Sequence, residues 1–299
     1  MGFLIVGTGA LACLFAARIT GSGSEVTMLG SWPEGLAALR QYGVRLLDLD
    51  GSNSNFAVEV IDESASKRRF KQSLVLVKSW QTERVAKQLE RYLAADGIAL
   101  TLQNGLGNDR VLMGMLEPEQ VALGITTVGA RMLEPGFVQF TGNDKVMLGA
   151  HPKLSRLAEH LQKAGFHVEM VSDPVSLVWG KLIINAAINP LTALLRVANG
   201  ELLVRPEARE LLAEAAREAA SVASKQGISL PYPDPVMMVE QVARNTAANY
   251  SSMLQDVMRG TTTEIEAING AIVRAGEQFG VPTPVNRMLW HLVKSLNQH

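Results

Sequence analysis

Short apolar runs alternate with amphipathic stretches through the first half of the chain, and long helical periodicities replace them in the second. Phe3–Val6 is an uninterrupted apolar run, as expected of a strand buried on both faces. A helix is predicted from Ala10 to Ile19, then a turn at Gly21-Ser22-Gly23-Ser24 and a second strand at Glu25–Leu29, which together make a βαβ unit. Leu74–Val77, Ile98–Leu102, Val121–Thr127 and Lys145–Leu148 continue the strand pattern, with Phe137–Thr141 expected as a hairpin partner. After Asp173-Pro174 the strand-like runs cease. Leu212, Ala215, Ala216, Ala219 and Ala223 recur at helical spacing, while Glu210, Glu214, Arg217 and Glu218 read as the solvated face of the same helix. The expected class is α/β: a doubly wound parallel sheet over residues 1–172, followed by an all-helical domain over 173–299.

Composition narrows the function. With 47% hydrophobic and 19% charged residues the chain is a globular one. A net charge of −1 provides no basic field for a polyanion, which argues against nucleic acid as a partner. The single cysteine, Cys13, excludes an intrachain disulfide and fits a reducing compartment. Metal chemistry is not expected: His151 and His160 are placed on one helical surface, and they, His167, His291 and His299 read as solvated or structural. The N-terminal apolar run, Met1 to Val6, leads straight into Gly7 with no basic leader. Leu182–Leu195, broken by Asn185, Asn189 and Pro190, is expected to fall short of the ~20 residues that span a bilayer. A cytoplasmic protein without membrane association is the expectation.

Gly7-Thr8-Gly9-Ala10-Leu11-Ala12 closes the first strand and opens a helix. Gly7 permits the tight turn, Gly9 lets backbone amides approach a pyrophosphate, and Ala12 meets the demand for close helix–strand packing. A carboxylate at the end of the second strand would mark NAD, but Met28-Leu29-Gly30-Ser31-Trp32 has none. That absence favours NADP, with Ser31 as a hydrogen-bond donor and Arg40 as the nearest downstream cation. Lys78 and Asn104 each follow a strand, where an open α/β sheet holds ligands.

In the second half, Lys181, Asn185 and Asn189 are spaced i, i+4, i+8, so one helical stripe carries an ammonium and two carboxamides among apolar neighbours. This suggests a cleft wall facing a polar ligand; an inter-helix hydrogen-bond ladder with Lys181 reaching to solvent is the alternative. Thr261 and Glu264 have the spacing of a capping box, which by itself explains that glutamate. Asn199-Gly200 reads first as a helix-ending turn.

Taken in order, the glycine turn, Lys78-Ser79-Trp80-Gln81, Gln103-Asn104-Gly105, Trp179–Pro190 with Leu191-Thr192-Ala193, Asn199-Gly200-Glu201-Leu202, Ser251–Asp256 and Thr263–Gly270 resemble the ketopantoate reductases (2-dehydropantoate 2-reductases) over nearly the whole chain. The resemblance implies a Rossmann domain, a helical domain and an active site between them. It implies Lys181 as general acid with Glu264 assisting by contact with it and with substrate or cofactor. It places Asn104 beside cofactor and substrate, Asn185, Asn189, Asn199, Asn249 and Ser252 on the substrate, and Ala130 against the cofactor. Where members of the family often carry an arginine for the 2′-phosphate, this chain has Ser31.

The implied reaction is NADPH-dependent reduction of ketopantoate to pantoate, a step of pantothenate and coenzyme A biosynthesis, by an enzyme that is expected to be a homodimer. The alternatives are a reductase of another 2-keto acid on the same fold and a non-catalytic NADP(H) sensor.

Overall fold

The computed structural model describes residues 2–62 and 68–296; Met1 and His299, read above as part of the first apolar run and as a solvated histidine, lie outside the described residues. The chain divides into two compact units, one of Met1–Gln103 with Gly107–Pro174, the other of Asn104–Leu106 with Val175–His299.

In the first unit the strands are β1 (Phe3–Val6), β2 (Val26–Leu29), β3 (Val44–Leu47), β4 (Asn53–Phe56), β5 (Glu59–Ile61), β6 (Phe70–Val75), β7 (Leu93–Thr101), β8 (Val121–Thr126), β9 (Gly129–Glu134), β10 (Phe137–Gly142), β11 (Lys145–Gly149) and β12 (His167–Val171). Helices α1 (Ala10–Gly21), α2 (Pro33–Tyr42), α3 (Thr82–Tyr92), α4 (Asn108–Met113) and α5 (Ser155–Lys163) connect them. An eight-stranded sheet runs β12-β11-β8-β7-β6-β1-β2-β5, parallel except where β11 meets β8. Phe3 and Ile5 enter the apolar cluster on one face of it, Leu4 and Val6 the cluster on the other, as the two-residue pleat requires. The chain runs outward from β1 in both directions, to β2 on one side and to β6 on the other, so the topological switch point lies at β1/β6.

A second, four-stranded sheet has the order β4-β3-β10-β9. Phe137–Gly142 forms a hairpin with Gly129–Glu134, and Lys145–Gly149 joins the large sheet. Gly136, at φ 69°, makes the tight turn between β9 and β10, whereas the segment after β10 carries the chain into the other sheet. Helix α1 packs on both β1 and β2 of the large sheet and on β3, β9 and β10 of the small one, which is why Ala12 through Ala17 are all buried and the helix shows no polar face. Cys13 lies inside this layer, its thiol pushed up to about 12 by burial. His151 falls outside α5 while His160 lies within it against the Phe3 ring, so the two do not share a helical surface.

The second unit, among the described residues, is helical: α6 (Pro174–Leu195, entering from the last residue of the first unit), α7 (Pro206–Lys225), α8 (Pro235–Asn245), α9 (Ser252–Met258), α10 (Asn269–Phe279) and α11 (Pro284–Leu296). Contrary to expectation, α6 continues through Asn185, Asn189 and Pro190 for 22 residues, long and apolar enough to cross a membrane by length and composition. Its apolarity is that of a core helix, since Trp179, Leu182, Ile183, Ala186, Ala187 and Ile188 build the apolar cluster of this unit. Pro190 has no N–H for the carbonyl of Ala186, and the Asn269 side chain supplies the missing donor at 3.0 Å. Asn269 also donates to Asn286, whose own amide donates to Ala215 O and to Glu218. Glu218 is therefore not simply on a solvated face: its two oxygens accept the backbone N–H of Val285 and Asn286 and cap α11 from another helix.

Candidate active site

The first unit contributes a backbone cradle. Gly7 has φ 130°, and a Cβ there would lie 3.1 Å from Leu76 O, so only glycine turns the chain off β1 at this point. Gly9 precedes α1 with extended backbone, has no side chain capping the helix and has open space where a Cβ would project. The first amides of α1 thus face a volume that a phosphate can approach closely. Thr8 and Ala12 are buried, Ala12 as the close-packing residue of the motif, while Ala10 and Leu11 are half-buried. Gly7 N donates to Leu29 O and Leu76 N to Val6 O, so the turn and the segment leading to Lys78 lie at the same end of the sheet, on the two sides of the switch point. Lys78 is half-buried, Ser31 is exposed, and Ala130 is half-buried in β9 opposite Phe140. Gln103 braces this end by donating to Val77 O at 3.0 Å and to Thr82 at 2.8 Å.

The second unit holds the ionisable pair. Lys181 lies on α6 and keeps part of its surface accessible. Burial lowers its ammonium to about 8, against the opposing pull of the Glu264 carboxylate. Glu264 is buried and accepts a 3.2 Å hydrogen bond from the Asn104 side chain. The segment bearing Asn104 is fixed by Leu106 N donating to Ala267 O at 3.0 Å. Gly105 makes that approach possible: it has φ 89°, and a Cβ would lie 2.5 Å from Ala267 O.

The capping-box reading of Glu264 does not hold. Thr261 donates to Asp256 O at the end of α9, the next helix begins only at Asn269, and the carboxylate accepts from Asn104 while its charge acts on Lys181. A long-range partner has displaced the local one. Asn199 likewise does not end a helix; α6 ends before Arg196, at φ 54°, and Asn199–Leu202 is a short 3-10 turn.

Asn185 and Asn189 project from α6 a turn and two turns after Lys181, and no hydrogen bond joins either carboxamide to another described residue. The inter-helix ladder weighed above is therefore not formed. Asn199 is buried; its amide donates to Thr246 at 2.9 Å, and its carbonyl oxygen is buried without a partner. Its backbone N–H donates to Asn249 O, which brings those two segments together. The Asn249 and Ser252 side chains are exposed. Ser251, not assigned a role in the sequence reading, is buried, caps α9 at Leu254 N and shares a 2.7 Å hydrogen bond with Thr192. Asn269 was also missed; its signal was Pro190, which implies an orphan carbonyl four residues earlier.

Residues 3–153 match the family model for ketopantoate reductase PanE/ApbA, and residues 175–297 match that for the ketopantoate reductase PanE/ApbA C terminal. The chain is 37% identical to a 2-dehydropantoate 2-reductase of Archaeoglobus fulgidus over 98% of its length and 96% of that protein. It is 33% identical to a 2-dehydropantoate 2-reductase of Halobacterium salinarum over 98% of each chain. Among solved structures it is similar to a PanE/ApbA family ketopantoate reductase from Ralstonia eutropha (TM-score 0.93, 29% identity, 100% of both chains). It is also similar to a D-mandelate dehydrogenase with NADH and anilino(oxo)acetate (TM-score 0.94, 25% identity, 99% of this chain and 98% of that one). With both of its units matched, and a glycine cradle in one and a lysine–glutamate pair in the other, the chain belongs to the ketopantoate reductase PanE/ApbA family.

Proposed function

We propose that the protein reduces ketopantoate to pantoate with a reduced nicotinamide dinucleotide, Lys181 being the proton donor. The observation that carries the reading is a half-buried lysine of lowered proton affinity, about 8, in the field of a buried carboxylate that accepts a hydrogen bond from Asn104. The cradle formed by Gly7, Gly9 and the first turn of α1 fits a pyrophosphate, since Gly9 leaves the amides open. When bound, the dinucleotide supplies the hydride that reaches the C2 carbon of the keto acid. The carbonyl oxygen then becomes an alkoxide, and an ammonium at hydrogen-bond distance stabilises it and delivers the proton. A lysine near 8 is almost wholly protonated at neutral pH yet gives up its proton far more readily than an unperturbed one. Glu264 keeps it charged, and Asn104 fixes the Glu264 carboxylate.

The polar ends of the substrate fall to the carboxamides. Asn185 and Asn189 have donors and acceptors that no protein group occupies, and the buried carbonyl of Asn199 can accept from a substrate hydroxyl. Asn249 and Ser252 complete the proposed substrate contacts, while Lys78, Asn104, Ala130 and Glu264 are assigned to the cofactor. NADPH is the donor expected from β2 taken alone; the neighbouring strand β5 bears on that choice. A homodimer is the expected assembly, to be checked by sedimentation.

The test is oxidation of reduced dinucleotide by the purified protein with ketopantoate, pyruvate, 2-ketoisovalerate and oxaloacetate in turn. Saturable turnover preferring ketopantoate is expected. Lys181→Ala is expected to lose at least about 10²-fold in turnover while still binding dinucleotide. Unchanged turnover in that variant would remove Lys181 from the chemistry. Preference for another keto acid would keep the mechanism and change the substrate, and binding of dinucleotide without any turnover would favour a sensor.

A further inference from the structure

The end of β2 lacks the carboxylate that, in a doubly wound sheet, accepts the adenosine ribose hydroxyls and marks NAD. Strand β5 lies parallel to β2 at the sheet edge, with Leu29 paired to Ile61 and Gly30 N donating to Ile61 O. The residue that follows Ile61 is Asp62. Parallel neighbours are ~4.8 Å apart, so Asp62 leaves the sheet beside Gly30 and Ser31, at the end where the cofactor turn lies. A carboxylate therefore leaves the sheet one strand beyond the usual ribose acceptor, carried by β5.

Arg40, the cation offered downstream of Ser31, comes from α2 and is ion-paired to that same Asp62 at 2.8 Å. Arg68 is engaged with Glu59 at 2.7 Å and Glu25 at 3.3 Å, at the other end of the two strands. A dianionic 2′-phosphate entering beside Ser31 would meet the Asp62 carboxylate and would have to draw Arg40 away from it. A ribose with a free 2′-hydroxyl meets an acceptor instead. We infer that Asp62 is the specificity-determining residue of the dinucleotide site: it takes the part of the carboxylate missing from β2, restrains Arg40, and makes NADH the preferred donor over NADPH. This rests on the glycine turn being a dinucleotide site.

The experiment measures binding of NADH and NADPH by quenching of tryptophan fluorescence, alongside kcat/KM with each, for the parent, Asp62→Asn and Asp62→Asn/Arg40→Ala. Asp62 and Arg40 are surface residues, so both variants are expected to fold. The parent should bind NADH more tightly. Asp62→Asn should raise NADPH affinity by about tenfold, by removing a like charge and releasing Arg40, and weaken NADH severalfold. Adding Arg40→Ala should cancel the NADPH gain and leave NADH where it was. A parent that prefers NADPH by tenfold or more, with a ratio unmoved by Asp62→Asn, would overturn the inference and leave the dinucleotide site intact. Failure of both dinucleotides to quench would remove the site itself, and this inference with it.

Discussion

Glu264→Gln isolates how the proposed proton donor, Lys181, is tuned. In the folded chain burial lowers Lys181 to about 8 while the Glu264 charge resists that shift. Glutamine keeps the shape and can still meet Asn104, but the charge is gone. An opposite charge at close range is worth about 1–3 pH units to its partner, so Lys181 in the variant should titrate roughly one to three units lower. On the proposed mechanism reduction needs the protonated lysine, so activity should be full on the acid side and lost as pH rises through this value. At pH 7 a group of pKa about 8 is about nine-tenths protonated. A fall of one unit leaves about half, and a fall of two units about a tenth. A fall of three units leaves about a hundredth, so ionisation alone predicts a loss of roughly 2- to 100-fold at pH 7, recovered on acidification. The assay is kcat/KM for ketopantoate against pH at saturating dinucleotide, which reports the ionisation of the form that binds the keto acid. In the parent the descending limb should lie near 8, and in the variant it should move to lower pH. Lys181→Arg supplies the control, because an arginine does not deprotonate in this range and the limb should vanish from whatever activity remains. A limb that stays in place while the whole profile is scaled down would refute the coupling, and Glu264 would then act only by contact with substrate.

The remaining predictions concern architecture. Asn269→Ala leaves Ala186 O without its substitute donor and breaks the bond to Asn286, so chemical denaturation should show a loss of about 2–4 kcal/mol. Gly105→Ala forces a Cβ against Ala267 O from a positive φ; turnover should fall by at least about tenfold through displacement of Asn104 and Glu264. Lys181→Met should inactivate the enzyme and raise its stability by about 1–3 kcal/mol at pH 7. The sign follows from linkage: with a folded pKa near 8, below the unfolded value, Lys181 binds fewer protons when folded, so the parent gains stability as pH rises from about 8 to 10.5 and the variant does not.

The parts of this molecule legible from sequence are those whose environment is uniform. Strands β1 and β2 are buried on both faces and so read as unbroken apolar runs, and the glycine turn is recognisable because Gly7 must occupy a conformation closed to other residues. Strands β3, β4 and β5 escaped notice: Asn53–Phe56 is largely exposed and polar, and Glu59–Ile61 is a short edge strand. What a local window cannot give is the partner. Thr261 and Glu264 have the spacing of a capping box whether or not a helix starts there, and it is Asn104, 160 residues away, that donates to the carboxylate. Pro190 announces an orphan carbonyl, but its donor lies 83 residues beyond Ala186. Glu218 sits among charges on what reads as a solvated face until α11 brings two amides to it. The same holds for the cofactor pocket. Judged from β2 alone the carboxylate is absent; judged from the register of Leu29 against Ile61, Asp62 follows on the adjacent strand and is the carboxylate inferred to take its place. A fingerprint that expects an acid on one strand is in physical terms a requirement for an acceptor at one place. Any strand that delivers a carboxylate there meets the requirement, and only pairing register reveals which one does.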